Sequence, residues 1–216
     1  MRILNLYAGL GGNRRSWTQN HEVTAVEMEP DIAAVYSKLH PNDKVIISDA
    51  HQYLLKHADE FDFIWSSPPC QSHSRMMKAT RHNVKKYPDL SLYQEIIYLQ
   101  NFYRGQWVVE NVNPYYTPLI TPSCKIGRHI FWSNFLITKI EVKNYPGFIC
   151  NDTKAHAQAL KNWLGIQYEG EIYYKDNHSP GQVLRNCVPP EIGAHILNCA
   201  AGKYEYLKNT KQLSII

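Results

Sequence analysis

The chain has 216 residues, of which 44% are hydrophobic and 12% aromatic, and its formal net charge is +4 at pH 7. Length and apolar content exclude a disordered chain and allow one large domain, whereas the mild positive charge is compatible with nucleic acid without indicating it. Five widely spaced cysteines without a C-x-x-C pair argue against a disulfide framework or a zinc ribbon, and no apolar run approaches the ~18 residues of a membrane span. We therefore expect a cytoplasmic protein with no signal peptide and no membrane partner.

Short apolar runs alternate with segments of helical spacing along the first half of the chain. In chain order, strands are predicted at residues 2–7, 21–26, 44–47, 61–65 and 106–109, and helices from about Arg14, at 30–39 and at 91–103. Strands that alternate with helices indicate a parallel sheet with helices on both faces. The predicted fold class is therefore α/β, with a doubly wound, mostly parallel sheet.

The residues that follow the predicted strands should meet, because the carboxyl ends of parallel strands share one edge of a sheet and form its ligand crevice. These residues are Tyr7 with Gly9, Glu27, Asp49, Cys70 and Glu110. The sequence therefore predicts a single site at this edge.

The first half of this edge is typical of a cofactor site. Gly9 and Gly11 leave room for close backbone approach, and Glu27 is placed to hold ribose hydroxyls. A dinucleotide fingerprint is not present, since its third glycine would fall at Arg14. A tight turn and solvated strand ends would explain each feature alone; together they favour an adenosyl ligand without a pyrophosphate.

The second half is typical of covalent chemistry. Pro68 and Pro69 end the fourth strand and leave the thiol of Cys70 at the crevice, where it could act as a nucleophile; a lone cysteine is more often a small buried hydrophobe. Glu110 could be an ordinary charge or a group that protonates an electrophilic ring. The segment 71–88 carries five basic residues and no acidic one, which indicates either a solvated loop or a segment that clamps phosphates.

Several segments, in this order, resemble the motifs of the cytosine-C5 DNA methyltransferases. They are Leu6-Tyr7-Ala8-Gly9-Leu10-Gly11-Gly12, Glu27-Met28, Asp49, Pro69-Cys70-Gln71, Glu110-Asn111-Val112 and Leu184-Arg185-Asn186-Cys187-Val188-Pro189-Pro190. One such motif is weak evidence, but the ordered set spans residues 3 to about 198. The resemblance implies a Rossmann-like methyltransferase fold that binds S-adenosylmethionine and releases S-adenosylhomocysteine, and it implies DNA, in duplex form, as the partner.

The resemblance also implies roles for individual residues. The implied cofactor-binding residues are Tyr7, Ala8, Gly9, Gly11, Gly12, Glu27, Met28, Asp49, Ala50, Pro69, Asn186 and Val188. The implied catalytic residues are Cys70, Glu110, Gln71 and Arg128. The residues expected to bind nucleic acid are Ser72, Ser74, Arg75, Lys78, Arg81, Lys85 and Lys86. No metal site is expected.

The implied reaction begins when the Cys70 thiolate adds to cytosine C6 while Glu110 hydrogen-bonds or protonates N3. C5 then attacks the methyl group, a base removes the C5 proton, and Cys70 leaves. Because a base within a duplex cannot reach these groups, the cytosine must be flipped out, at a cost of a few kcal/mol.

Two departures from the family pattern concern recognition. Gly127 and His129 fall where the family has an Arg-x-Arg pair, so Arg128 or Lys125 would have to substitute. We also expect a catalytic and cofactor-binding core at 1–134, a vestigial recognition segment at 135–153, and a C-terminal segment at 154–216 that returns to the core. A recognition segment this short could read only a very short target, unless a homodimer or a separate recognition subunit completes it.

Two alternatives remain open from sequence. The same motifs occur in enzymes that methylate cytosine in transfer RNA, and a non-catalytic accessory subunit could hold both cofactor and DNA. Small size suggests a phage or mobile-element context, in which methylation would serve restriction–modification or regulation.

Overall fold

The computed structural model describes residues 1–18, 20–74, 87–142, 154–170, 172 and 181–203. The strands are β1 (Arg2–Leu6), β2 (Glu22–Glu27), β3 (Lys44–Ile47), β4 (Phe63–Ser66), β5 (Gln106–Val112), β6 (Cys124–Ile126) and β7 (His129–Ser133). The α-helices are α1 (Pro30–Leu39), α2 (Ala50–His57), α3 (Ser91–Phe102), α4 (Lys154–Leu164), α5 (Gln182–Arg185) and α6 (Pro190–Ala200). No helix in these ranges is long and apolar enough to cross a membrane.

The strands form one seven-stranded sheet in the order β3-β2-β1-β4-β5-β7-β6. β1 pairs in parallel with β2 and β4, β2 with β3, and β4 with β5. β7 pairs antiparallel with both β5 and β6. The predicted doubly wound, mostly parallel sheet is therefore confirmed, with an antiparallel pair added at one edge.

Helices cover both faces of the sheet, and the side chains of β1 point alternately to these two faces. Leu4 and Leu6 pack in one apolar cluster with residues of α2 and α3, whereas Ile3 packs in another with residues of α6. Successive side chains of a strand point to opposite faces, so a strand buried on both sides reads as a continuous apolar run.

Most element predictions are confirmed within one or two residues, and α1 and β3 have the predicted bounds. Two are wrong. β5 runs on to Val112, so Glu110 lies inside the strand rather than after it, because β7 pairs alongside this extension. No helix forms at Arg14, where the chain makes turns.

Buried polar contacts explain the turns at Arg14. The Arg14 guanidinium donates to both carboxylate oxygens of Asp43, each at 2.9 Å, and to the carbonyl oxygen of Trp17 at 3.3 Å. Asn13 Nδ2 donates to Asn5 Oδ1 on β1 at 2.9 Å. These bonds anchor the segment to β1 and to the connection before β3, and they take the place of a regular helix.

The C-terminal helix, α6, packs beside the first strand, β1. α6 places Ile192 and Ile196 in the same apolar cluster as Ile3. Gly193 permits this approach, because a Cβ placed there would lie 2.0 Å from the carbonyl oxygen of Asn13. α6 thereby supports the loop that follows β1.

Candidate functional site

A cavity of about 530 Å³ lies at the carboxyl ends of the parallel strands. The residues predicted to share this edge all line it: Tyr7, Gly9, Glu27, Asp49, Cys70 and Glu110. The lining also includes most of the other implied site residues, namely Ala8, Gly12, Met28, Ala50, Pro69, Gln71, Arg128, Asn186 and Val188. The sheet topology therefore brings the predicted cofactor and catalytic residues into one cavity.

The loop after β1 has a backbone that opens one wall of the cavity. Tyr7, Gly9 and Gly11 all have positive φ, at 55°, 55° and 71°. No atom lies within 4 Å of a Cβ placed on Gly9, which leaves space for a ligand against the backbone. Gly11 is the one implied cofactor residue outside the lining; a Cβ there would meet His40 and Tyr36, so this glycine serves the packing of the loop on α1.

The Glu27 carboxylate, at the end of β2, accepts hydrogen bonds from two backbone amides. Its Oε2 accepts from the Gly9 amide at 2.9 Å, and its Oε1 accepts from the Glu29 amide at 3.0 Å. A carboxylate oxygen has two lone pairs, so acceptor capacity remains toward the cavity. The neighbouring Met28 side chain is 60% exposed.

These residues fit an adenosyl group. Glu27 provides acceptors for hydroxyl groups, Met28 provides an exposed apolar side chain for a ring, and Gly9 leaves the backbone accessible. Asp49 caps α2 by accepting from the Gln52 amide at 2.8 Å, and it lines the same wall. Such a set matches the needs of S-adenosylmethionine, which has a ribose and an adenine and carries no pyrophosphate.

A buried carboxylate beneath this half of the cavity was not predicted. Glu95 on α3 has no exposed surface. It accepts a hydrogen bond from Tyr7 Oη, another from Ser66 Oγ at 2.6 Å, and lies 3.2 Å from His51 Nδ1. The hydrogen bond to Glu95 raises the pKa of His51, and burial together with Glu95 raises the pKa of Tyr7.

The spacing of α3 contained the signal for Glu95. Leu92, Ile96 and Leu99 form the buried stripe of this helix, and position 95 falls on the same face. A glutamate in an apolar stripe predicts a buried carboxylate with polar partners.

Cys70 lies in the turn after β4, and its backbone is fixed. The carbonyl oxygen of Cys70 accepts from the amides of His73 and Ser74, each at 3.0 Å. Burial, and then the Glu110 carboxylate, raise the pKa of the thiol to about 11, while the Arg128 guanidinium acts in the opposite direction. The thiol is therefore protonated near neutral pH.

Glu110 and His129 form a buried pair on the opposite wall. His129 Nδ1 lies 2.6 Å from Glu110 Oε1, and the side chains are 2% and 8% exposed. The antiparallel register explains the contact: Glu110 pairs with Phe131, which places His129 two residues away on the same face. In the sequence, His129 stands out only as a departure from an Arg-x-Arg pattern.

Arg128 lines the cavity but is tied to the C-terminal segment. Its guanidinium donates to the carbonyl oxygen of Arg185 and, at 3.5 Å, to that of Cys187. Burial lowers the pKa of Arg128, and the charges of Glu110 and Cys70 counter this effect. The residue thus supplies a positive charge near both Cys70 and Glu110.

The residues predicted to bind nucleic acid fall mostly on the part of the chain that the structure does not describe. Arg75, Lys78, Arg81, Lys85 and Lys86 lie outside the described residues. Ser72 Oγ accepts from the Asp89 amide at 3.0 Å, and Ser74 forms an antiparallel bridge with Pro114. The two ends of this segment are therefore held beside the cavity.

Residues 1–118, more than half of the chain, match the family model described as C-5 cytosine-specific DNA methylase. No curated protein matches the chain.

Solved structures also resemble it. A hypothetical protein of Thermus thermophilus is 17% identical over 65% of this chain and 75% of that one, with a TM-score of 0.42. A mutant of Spodoptera frugiperda DNMT2 is 25% identical over 52% of this chain and 35% of that one, with a TM-score of 0.36. The Escherichia coli protein yhhF, described as a candidate methyltransferase, is 15% identical over 61% of this chain and 73% of that one, with a TM-score of 0.40.

Proposed function

The chain belongs to the C-5 cytosine-specific DNA methylase family, and from this premise we propose that it transfers a methyl group from S-adenosylmethionine to C5 of a flipped-out cytosine in DNA. One observation carries the proposal: Cys70 and Glu110 line the same cavity as the glycine loop, Glu27 and Asp49. A nucleophile, a proton-handling carboxylate and an adenosyl site are the three parts that this reaction needs in one place.

In the proposed reaction, Cys70 Sγ forms a bond to C6 of the cytosine ring, and Glu110 hydrogen-bonds or protonates N3. Electron density thus moves to C5, which is otherwise a poor nucleophile. Since the pKa of the Cys70 thiol is raised to about 11 in the ligand-free protein, its proton must leave by the time C6 is attacked. Arg128 favours that loss by stabilising the thiolate.

S-adenosylmethionine, when bound, supplies an electrophilic methyl group and leaves as S-adenosylhomocysteine. Glu27, Asp49, Met28 and the backbone at Gly9 would hold its adenosyl part. After transfer, a base removes the C5 proton, the electrons of that bond restore the ring double bond, and Cys70 leaves as the thiolate. The cysteine is thereby regenerated.

Recognition of the target is proposed to involve the segment 135–153 and the basic segment after Cys70. Within the described part of the first segment, Ile137 is 7% exposed and joins the apolar cluster of α6, whereas Leu136 is 68% exposed. We propose that base readout falls to the exposed residues of this segment, to the basic segment, or to a second subunit.

The test is methyl transfer from tritiated S-adenosylmethionine to duplex DNA, single-stranded DNA and transfer RNA, followed by bisulfite sequencing of labelled nucleic acid. We expect label at cytosine C5 in DNA, and none with Cys70→Ser. Cys124→Ser is the matched control, because Cys124 is similarly part-exposed but does not line the cavity. Label confined to RNA, or retained in Cys70→Ser, would overturn the proposal.

A further inference from the structure

His129 is a buried histidine whose two ring nitrogens have different surroundings. Nδ1 lies 2.6 Å from Glu110 Oε1, within a strong hydrogen bond. Nε2 is buried, and among the described residues it has no hydrogen-bond partner. The ring also lies against Phe131, with centroids 6.3 Å apart. Glu110 is thus the polar partner that the described structure shows for this imidazole.

This asymmetry gives the two ring nitrogens different roles. Nδ1 is the ring nitrogen that contacts Glu110, whereas Nε2 contacts no polar group of the described residues. With a proton on Nδ1, the ring donates to Oε1 of the Glu110 carboxyl group. His129 therefore holds Glu110 through Nδ1 and at Oε1.

A carboxylate held at one oxygen has a defined orientation. β5 fixes the Glu110 backbone and β7 fixes that of His129, and the two strands are hydrogen-bonded in register. With Oε1 occupied by His129, the second oxygen, Oε2, is the one left to meet a ligand in the cavity. A fixed orientation matters, because a displacement of about 1 Å at a reacting group costs about 10²-fold in rate.

We infer that His129 is a positioning residue for Glu110: its Nδ1–H holds Oε1 so that Oε2 is presented to N3 of the substrate cytosine. The inference rests on the proposed function and deepens it. His129 stands where the family pattern has an arginine, and it supplies the hydrogen bond through a single ring nitrogen, Nδ1. Arg128, the neighbouring cation, supplies charge near Glu110 while it donates to the carbonyl oxygens of Arg185 and Cys187.

Two amide substitutions at position 129 test which of the two ring nitrogens matters for activity. The side-chain nitrogen of asparagine falls near the position of Nδ1, whereas that of glutamine falls near Nε2. We expect His129→Gln and His129→Phe to lose about 10²-fold in kcat, with little change in KM for S-adenosylmethionine. His129→Asn should retain kcat at least about tenfold above that of His129→Gln. Phenylalanine keeps the ring volume, so a loss of activity there is not a cavity effect; if that variant fails to fold, the amide pair still decides the question.

A double-mutant cycle tests whether His129 acts through Glu110. In a Glu110→Gln background, adding His129→Phe should lower the residual kcat by less than about twofold, since residues that act as a unit are not additive. Equal losses in both backgrounds would show a structural role and overturn the inference. So would equal activities of the two amide variants.

A spectroscopic measurement keeps the inference independent of methyl transfer. In protein labelled with ¹⁵N-histidine, the His129 Nδ1 proton should give a strongly downfield resonance that is lost in Glu110→Gln and kept in Cys70→Ser. An inactive wild-type protein that shows this resonance would contradict the proposed function alone. Active wild-type protein with fully active His129→Phe would contradict the inference alone.

Discussion

At Cys70, the surroundings hold the proton on the thiol. Burial is the largest cause, the Glu110 carboxylate adds to it, and the Arg128 guanidinium opposes it. Only the thiolate is a nucleophile, so the reactivity of this cysteine in the ligand-free protein is governed by its pKa of about 11. The proposed attack by Cys70 therefore needs a substrate complex that favours loss of the proton.

The first prediction concerns the alkylation of Cys70. Its rate with iodoacetamide should rise about tenfold for each pH unit between about pH 8 and 10, because the thiolate fraction does so below the pKa. Glu110→Gln removes a negative charge and should raise the rate at mildly alkaline pH, whereas Arg128→Met should lower it. Mass spectrometry of the Cys70 peptide measures the rate, with Cys70→Ser as the blank. A rate that levels off below about pH 9 would contradict the burial effect on the thiol pKa.

At the scale of elements, α6 is positioned by close contact with the loop after β1. Gly193 lies against the backbone of Asn13, and Gly12 lies against Val188 and Cys187 from the other side. Both contacts involve backbone atoms, so neither neighbour can move as the end of a flexible side chain would. The C-terminal segment and the glycine loop therefore depend on each other for their placement.

The second prediction is that a Gly→Ala substitution in α6 lowers the free energy of unfolding, although the same substitution usually raises it within a helix. Gly→Ala inside a helix ordinarily stabilises by ~0.5–1 kcal/mol. Gly193→Ala should instead lower the free energy of unfolding by about 1–3 kcal/mol, because the new Cβ overlaps the Asn13 carbonyl. Urea denaturation measures the change, and Asn198→Ala, at an exposed position of α6, is the control. A stabilised Gly193→Ala would refute the packing described for this helix.

The third prediction compares two ion pairs. Arg14 and Asp43 are 4% and 1% exposed, whereas Arg2 and Asp62 are 54% and 46% exposed. Arg14→Met leaves a buried carboxylate without its cation and should lower the free energy of unfolding by about 3–5 kcal/mol. Arg2→Met should cost about 1 kcal/mol or less. If urea denaturation gives equal losses in the free energy of unfolding for the two variants, burial does not determine how strongly these ion pairs stabilise the fold.

At the scale of the whole molecule, the cavity has two walls built from different strands. Glu27 and Asp49 come from β2 and from the turn after β3, while Cys70 and Glu110 come from the turn after β4 and from β5. β1 and its glycine loop stand between the two groups in the sheet order. Cofactor binding and nucleophilic attack should therefore be separable by mutation.

The fourth prediction tests that separation by ligand-induced stabilisation. S-adenosylhomocysteine at a hundredfold excess over its Kd should stabilise the fold by ~2.7 kcal/mol, which corresponds to about 5–10 °C in Tm for a chain of this size. Cys70→Ser should keep this shift, and Glu27→Ala should lose most of it. Glu22→Ala, an exposed residue at the other end of β2, is the control. Loss of the shift in Cys70→Ser alone would place the cofactor elsewhere in the cavity.

The sequence by itself determined the five parallel strands, α1 and α3, and the shared edge of Tyr7, Glu27, Asp49 and Cys70. Local apolar runs mark the strands, and the carboxyl ends of parallel strands must lie together whatever the order of strands in the sheet. For the same reason Tyr7, Gly9, Glu27 and Asp49 could be predicted to line one half of a common cavity.

Only the tertiary structure decided which polar groups pair beneath and across the cavity. Glu95 meets Tyr7 across 88 positions of sequence, and His129 reaches Glu110 through an antiparallel register with β7. Arg14 is fixed by Asp43 rather than by a helix. Local propensity and periodicity describe neighbours within a few positions, whereas a buried charge takes its partner from whichever distant element packing brings close.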